Sequence, residues 1–195
     1  MNKDKLMAQD ASMAATAAML AGPEDFRILG KYDVVCRGPD GLIKWEAEAP
    51  NLVTDVGARL LLDTILAGSA FTATTYMGLK GSGAAAVGDT QASHAGWLEL
   101  GAANAPTYTS PRKTVSWSSA SGTGAGNRTK PSTGTYTFAI TSGSGLTVDG
   151  CFLNLNGTSA IDNTTGTLFS AGTFASGAKT VSSGDSLTVT YTLNC

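Results

Sequence analysis

Thr74-Thr75-Tyr76-Met77-Gly78-Leu79-Lys80-Gly81-Ser82-Gly83-Ala84-Ala85-Ala86-Val87-Gly88-Asp89-Thr90-Gln91-Ala92-Ser93-His94-Ala95-Gly96-Trp97 divides the chain into two kinds of sequence. It opens on a strand-like run, Thr75 to Leu79, and passes through a loop of small residues. It ends on a segment that holds the only histidine of the protein. Before it the chain mixes helical and strand patterns. After it the chain is rich in Ser, Thr and Gly and reads as strands joined by turns.

In the back half, Tyr136-Thr-Phe138-Ala-Ile140-Thr and Leu187-Thr-Val189-Thr-Tyr191-Thr-Leu193 alternate apolar with polar residues. That is the period of a strand with one face buried. Cys151-Phe-Leu-Asn-Leu155 is a fuller apolar run. Strands are expected near 97–100, 113–118, 135–141, 146–154, 167–169 and 186–193. Short strands with a turn signal roughly every ten residues point to a sandwich or jelly roll. Ser119–Gly134 is the loosest stretch and reads as a long surface loop.

In the front half, Phe26–Cys36 and Leu42–Glu48 flank Pro39-Asp40-Gly41. Proline presets φ and glycine accepts a positive one, so the two runs read as a hairpin. Residues 51–67 carry the best helical period: Leu52, Val53, Val56, Leu60, Leu61 and Ile65 recur with Asp55, Arg59 and Asp63 between them. Thr54 or Asn51 is the candidate cap and Gly68 the stop. Gly57 inside this helix costs about 1 kcal/mol against alanine, which a close packing contact would explain. Residues 3–21 form a second helical pattern, with Leu6, Met13, Ala17 and Leu20 on one narrow stripe and Gly22-Pro23 as its stop. The expected architecture is therefore mainly β: an antiparallel β-sandwich or jelly-roll-like domain over 26–195, one amphipathic helix at about 51–67, and an N-terminal helical or flexible arm over 1–25.

Composition narrows the function. A chain of 195 residues has room for a real core, yet only 14% of it is charged, well below the usual quarter. Low charge with abundant Gly, Ser and Thr suits a β protein held in a stable assembly. The net charge is −2 and no basic cluster is present, so counterion release has nothing to drive nucleic-acid binding. No apolar run is long enough to span a bilayer. The Ala-rich residues before Gly22 lack the Leu/Ile/Val centre of a signal peptide. Cys36, Cys151 and Cys195 match no zinc spacing, and an odd count argues against a disulfide framework. Free thiols fit a reducing cytoplasm.

Candidate chemistry is sparse. Gly83-Ala-Ala-Ala-Val-Gly88-Asp89-Thr90 nearly fits a phosphate loop, but Asp89 stands where the motif needs a lysine, which puts an anion against phosphate. His94 has no second histidine to share a metal, and no G-x-S-x-G elbow marks a nucleophile. Asp89 and Glu99 flank the His/Trp segment as a conceivable carboxylate pair. The residues predict no enzyme, no cofactor and no metal. Trp45, Trp97 and Trp117 with Tyr76, Tyr108 and Tyr136 read as core and interface aromatics, with a sugar-stacking platform as the alternative. The candidate structural and interface residues are Tyr76, His94, Trp97 and Trp117 in the body and Leu6, Met13 and Leu20 in the arm.

The central pattern Thr-x-Tyr-x-Gly-Leu, a loop, then Asp-Thr-x-Ala-Ser-His-x-Gly-Trp-x-Glu resembles a family of small structural proteins of tailed bacteriophages. Asn51-Leu-Val-Thr-Asp-Val-Gly57 resembles the family's leading helix. Gly150-Cys-Phe-Leu, Gly166-Thr-Leu-Phe-Ser, Lys179-Thr-Val and Gly184-Asp-Ser-Leu-Thr-Val-Thr-Tyr resemble its closing part. The likeness covers roughly 42–193. It departs at Pro111-Arg112-Lys113-Thr-Val-Ser-Trp117, where relatives carry an Arg-Pro-x-Trp-like segment, and the arm lies outside it. The resemblance implies a non-enzymatic virion component assembled in the host cytoplasm. A capsid decoration or cement protein on the major capsid protein comes first, as a homo-oligomer (dimer or trimer). A tail or fibre component, with a glycan as its ligand, is the alternative.

Overall fold

The computed structural model describes residues 28–66, 74–109, 111–123 and 127–195. The hairpin forms as its sequence predicts: β1 (Leu29–Arg37) pairs antiparallel with β2 (Ile43–Val53), and Gly41 takes a φ of 79° in the turn between them. The predicted helix starts later than its apolar period. Asn51-Leu52-Val53 continues β2 and pairs with Gly172, Ala171 and Ser170, so the helix α1 is Asp55–Leu66. Thr54 is the cap. Its Oγ1 accepts the Gly57 N–H at 3.1 Å, its carbonyl accepts from Ala58 at 2.9 Å, and its hydroxyl donates to Leu168 O. The stop at Gly68 and the arm, with Leu6, Met13 and Leu20, lie outside the described residues.

The remaining strands are β3 (Thr75–Lys80), β4 (Lys113–Val115), β5 (Thr129–Pro131), β6 (Tyr136–Ala139), β7 (Leu146–Val148), β8 (Gly150–Leu155), β9 (Thr167–Thr173), β10 (Lys179–Val181) and β11 (Ser186–Asn194). One antiparallel sheet runs β4-β3-β8-β9-β2-β1-β11-β5, with β6 beside β5 on the same edge of β11. A second, two-stranded sheet is β10-β7. Four strand expectations change. The run near 97–100 makes only an isolated bridge, Glu99 with Lys80. The run 146–154 splits at Asp149 into β7 and β8, which belong to different sheets. The loop 119–134 contains β5, and β10 forms where no strand was expected. β5 and β10 are each three residues long, too short to show a period.

The large sheet curls until its ends meet. Ser118 N–H donates to Pro131 O at 3.0 Å and Thr133 N–H to Ser116 O at 2.9 Å, around the Trp117–Ser132 bridge. Both end strands thereby lose an open edge. Inside the curl, Tyr32, Val34 and Cys36 of β1 and Leu187, Val189 and Tyr191 of β11 face Met77, Leu79, Leu153 and Phe169. Tyr32 OH meets Ser170 Oγ at 2.9 Å, and Asn51 Nδ2 donates to Tyr191 OH at 2.6 Å. These bonds satisfy phenols that the core would otherwise strand. α1 packs on β9 through Gly57, where a Cβ would sit 2.5 Å from Phe169 O. That contact is the reason this helix carries a glycine.

Candidate functional site

The two halves of the sheet are covered differently. β1, β2 and β11 alternate buried and accessible residues, as a wall with one dry face must. β8 is buried at every position, and β3 and β9 nearly so. The second face of this wall is covered by the loop from Gly81 to Leu100. Trp97 comes down from it onto Phe152, Leu168 and Ala171, forming a small second core. Burying a large aromatic in this way contributes roughly 1.5–3 kcal/mol.

The loop is held by its own polar groups. Asp89 Oδ2 accepts the Trp97 indole N–H at 2.9 Å and the Ala86 N–H at 2.9 Å. Gly83 has a φ of 109°, and a Cβ there would strike Gly96 O, so only glycine lets the two arms of the loop touch. His94 stacks on Trp97, ring centroids 4.0 Å apart, and its Nδ1 lies 3.0 Å from Trp97 O. The phosphate-loop likeness thus ends as a folded-in turn whose aspartate caps the loop's own donors.

Two buried cations anchor the loop to the wall. Lys80 is fully buried; its ammonium donates to Gly81 O at 3.1 Å, to Gly83 O, and to Asp149 Oδ2 at 3.5 Å. Burial lowers its pKa, and the Asp149 carboxylate opposes that shift. Arg112 grips Glu99 with two bonds, Nε to Oε1 at 2.7 Å and Nη2 to Oε2 at 2.5 Å. Two further N–H groups reach Asn163 O at 2.8 Å and Thr158 O at 3.2 Å. The guanidinium also lies over the Phe152 ring at 5.5 Å. Asp162 N–H adds a third bond to Glu99, at 3.1 Å. Such a bidentate pair, with four of the five guanidinium N–H donors bonded, is the arrangement in which a buried charge pair is tolerated.

Beside this anchor lies a cleft of about 230 Å³, lined by Gln91, His94, Leu98, Glu99, Asn104 and Asp162 among others. A second, apolar cavity of about 210 Å³ opens elsewhere, at the end of the main core between Trp117, Leu61, Leu155, Phe169 and Leu193.

The sequence-predicted residues therefore fall in three places. His94 and Trp97 come together in the loop. Tyr76 is half-buried on the outer face of β3. Trp117 sits at the end of the core, its indole N–H donating to Thr75 Oγ1 at 3.1 Å and its ring edge-on to Tyr191. Asp89 and Glu99, the conceivable carboxylate pair, are each engaged inside the protein. Among the described residues no group of three or more His, Cys, Asp or Glu side chains is placed to hold a metal, and no helix is long and apolar enough to cross a membrane. The cysteines are free. Sequence reasoning missed Lys80 and Arg112 as buried anchors. The available signal was a lone charge inside an apolar strand pattern (Lys80) or beside a proline (Arg112), and neither names its partner. No protein-family model, curated protein or solved structure matches the chain.

Proposed function

We propose that the chain is a non-enzymatic structural protein of a tailed-bacteriophage virion, a capsid decoration or cement protein that binds the major capsid protein and stabilises the shell. The observation that carries this reading is where the phage-like residues lie. The stretch from Thr75 to Glu99 and the segments around Gly150 and Gly166 build the wall that is covered on both faces. Its charged groups (Lys80, Asp89, Glu99, Arg112) are spent on internal bonds. A site that consumes its own acids and cations serves rigidity better than reaction.

The physics of the body suits a lattice. β2 pairs β1 along its first part and β9 along its last three residues, so one strand carries the curled sheet from the one wall to the other. That supports the sandwich or jelly-roll reading. Covered edges keep such a body from fibrous self-association. Many weak contacts per shell act through multivalency, with the chain itself as a homo-oligomer at a symmetry axis. Near-neutral charge keeps it off packaged DNA.

The test is the copy number of this chain per purified particle, by quantitative mass spectrometry against the major capsid protein. Hundreds of copies in fixed ratio support cement. A few to a few dozen move the chain to a tail or fibre, and absence from the particle ends both readings. The cleft beside His94 favours the fibre alternative: its amide and carboxylate lining, with the exposed Leu98 on its rim, has the chemistry of a small glycan subsite. Trimerisation of the isolated chain with binding to a glycan array would select it.

A further inference from the structure

The cleft beside the Arg112–Glu99 anchor holds an unmet acceptor. All of its lining residues, and their chain neighbours on both sides, lie in the described stretches 74–109 and 127–195. Gln91 is 2% exposed, and among the described residues its Oε1 has no hydrogen-bond partner. Its Nε2 donates to Asn163 O at 3.3 Å. Turning the amide over would set oxygen against oxygen, so that bond fixes Oε1 as the orphan. A buried acceptor left unpaired costs free energy that an incoming donor recovers.

Other lining side chains send their donors inward. Asn104 Nδ2 donates to Glu99 O at 2.9 Å, and His94 Nδ1 donates to Trp97 O at 3.0 Å. The neutral imidazole therefore offers Nε2 as an acceptor. Asp162 Oδ2 accepts the Ala103 N–H at 2.9 Å, which leaves Oδ1. Among the described residues Asp162 is also the lining carboxylate with no ion pair, because Glu99 is matched by Arg112. The cleft thus offers acceptors and one net negative charge, with exposed Leu98 on its rim.

Such a lining repels anions. A divalent cation wants more carboxylates than this one. A guanidinium finds no open carboxylate to grip with both arms, since Arg112 holds Glu99 and Ala103 holds one oxygen of Asp162. A primary ammonium fits: it is a point charge with three donors, on a methylene stem that lies along an apolar rim.

We propose that the cleft receives the ammonium end of a lysine side chain of a partner protein, with Gln91 Oε1 and Asp162 Oδ1 as its acceptors. The partner is taken from the reading above, whose test is copy number per particle. The cleft chemistry is tested separately, by amine binding to the isolated full-length chain.

His94 is the only histidine of the protein, so its ring proton NMR signals report on this cleft. Titration with Nα-acetyl-lysine N-methylamide is expected to shift them saturably, in the millimolar range of a single side chain. The norleucine analogue, which lacks the ammonium, should bind about tenfold more weakly at matched ionic strength. Asp162→Asn keeps the Ala103 bond through its amide oxygen and should weaken the amine about fivefold. Gln91→Met keeps the length of the side chain and should weaken it about tenfold. Thermal melts check that both variants fold; if Gln91→Met does not, Asp162→Asn alone decides. No saturable shift by the amine overturns the proposal, and water is then the partner of Gln91 Oε1. Equal binding of the lysine and norleucine derivatives overturns it too, since the rim alone would hold both. A saturable response to calcium chloride or to a methyl glycoside, with none to the amine, gives the cleft to a metal ion or to a glycan and overturns it. Amine binding unchanged in Asp162→Asn places the ammonium elsewhere and overturns it as well.

Discussion

The wall made by β1, β2 and β11 and the wall made by β3, β8 and β9 share one core but solve different problems. The first turns one face to water, and its outer positions hold Lys31, Asp33 and Glu48 in exposed ion pairs. The second is nearly dry on both faces, because the loop that carries Trp97 lies over it. A strand buried on both sides cannot leave charges in solvent, so Lys80 and Arg112 are built in with their own carboxylates and carbonyls. The same kinds of charged residue thus decorate one wall and hold the other together.

The largest expected effect tests whether the two walls fail as one body. Burial raises the Cys36 thiol from 9.0 to about 11, raises the Cys151 thiol further, and raises the Tyr32, Tyr108 and Tyr191 phenols above their ordinary 10.0. An acid whose folded pKa lies above its unfolded value stabilises the fold fully below the unfolded pKa and loses that contribution as pH rises. Each such group therefore costs about 1.4 kcal/mol per pH unit above its unfolded pKa. Lys80 and Lys113, whose pKa values burial lowers, act oppositely: their penalty shrinks as pH approaches 10.5. Above pH 10 the two thiols and three phenols together outweigh these two lysines, so the net loss sets in there and steepens above pH 10.5. Urea titrations at stepped pH should show a single transition moving down; two separating transitions would break the one-body view.

Next comes the covered wall alone. Arg112→Met strands the buried Glu99 carboxylate and should cost about 3–5 kcal/mol in urea unfolding. Adding Glu99→Gln should return much of that loss, since the cost lies in the unpaired charge. If Arg112→Met is nearly neutral, the pair does not hold the loop. Gly57→Ala should cost about 1–3 kcal/mol despite the better helix propensity, because the new methyl meets the Phe169 backbone. A gain in stability there would mean that α1 is free to lift off β9. The smallest effect belongs to the wet wall: Lys31→Ala removes bonds of 2.9 Å to Asp33 and Glu48, yet should leave the thermal midpoint unresolved from the parent, as exposed pairs do.

This contrast also explains what was legible. Tyr136–Thr141 and Leu187–Leu193 announced themselves because water on one face enforces alternation. Pro39-Asp40-Gly41 announced its turn because backbone sterics act locally. Gly57 was flagged as needing a close neighbour, and Phe169 is that neighbour. The start of α1 was misplaced because Leu52 and Val53 satisfy a helical period and a strand equally; pairing with Ala171 and Ser170 decided between them. Trp97 and His94 were marked as interface candidates, but their mutual stacking and the Asp89 bond depend on a loop path that no spacing encodes. Arg112 carried no mark in the sequence, because only the path of the chain between Glu99 and β4 brings its carboxylate partner to it.

The sequence by itself determined the β-rich class, the first hairpin, the Thr54 cap and the low-charge character of the surface, all of which rest on short-range sterics and on contact with water. Only the tertiary structure decided the strand order, the bridging of the sheet's ends at Trp117 and Ser132, and the conversion of Lys80 and Arg112 into buried anchors. Those depend on which distant groups meet, and the low dielectric of a doubly covered wall makes every such meeting either well paired or too costly to keep.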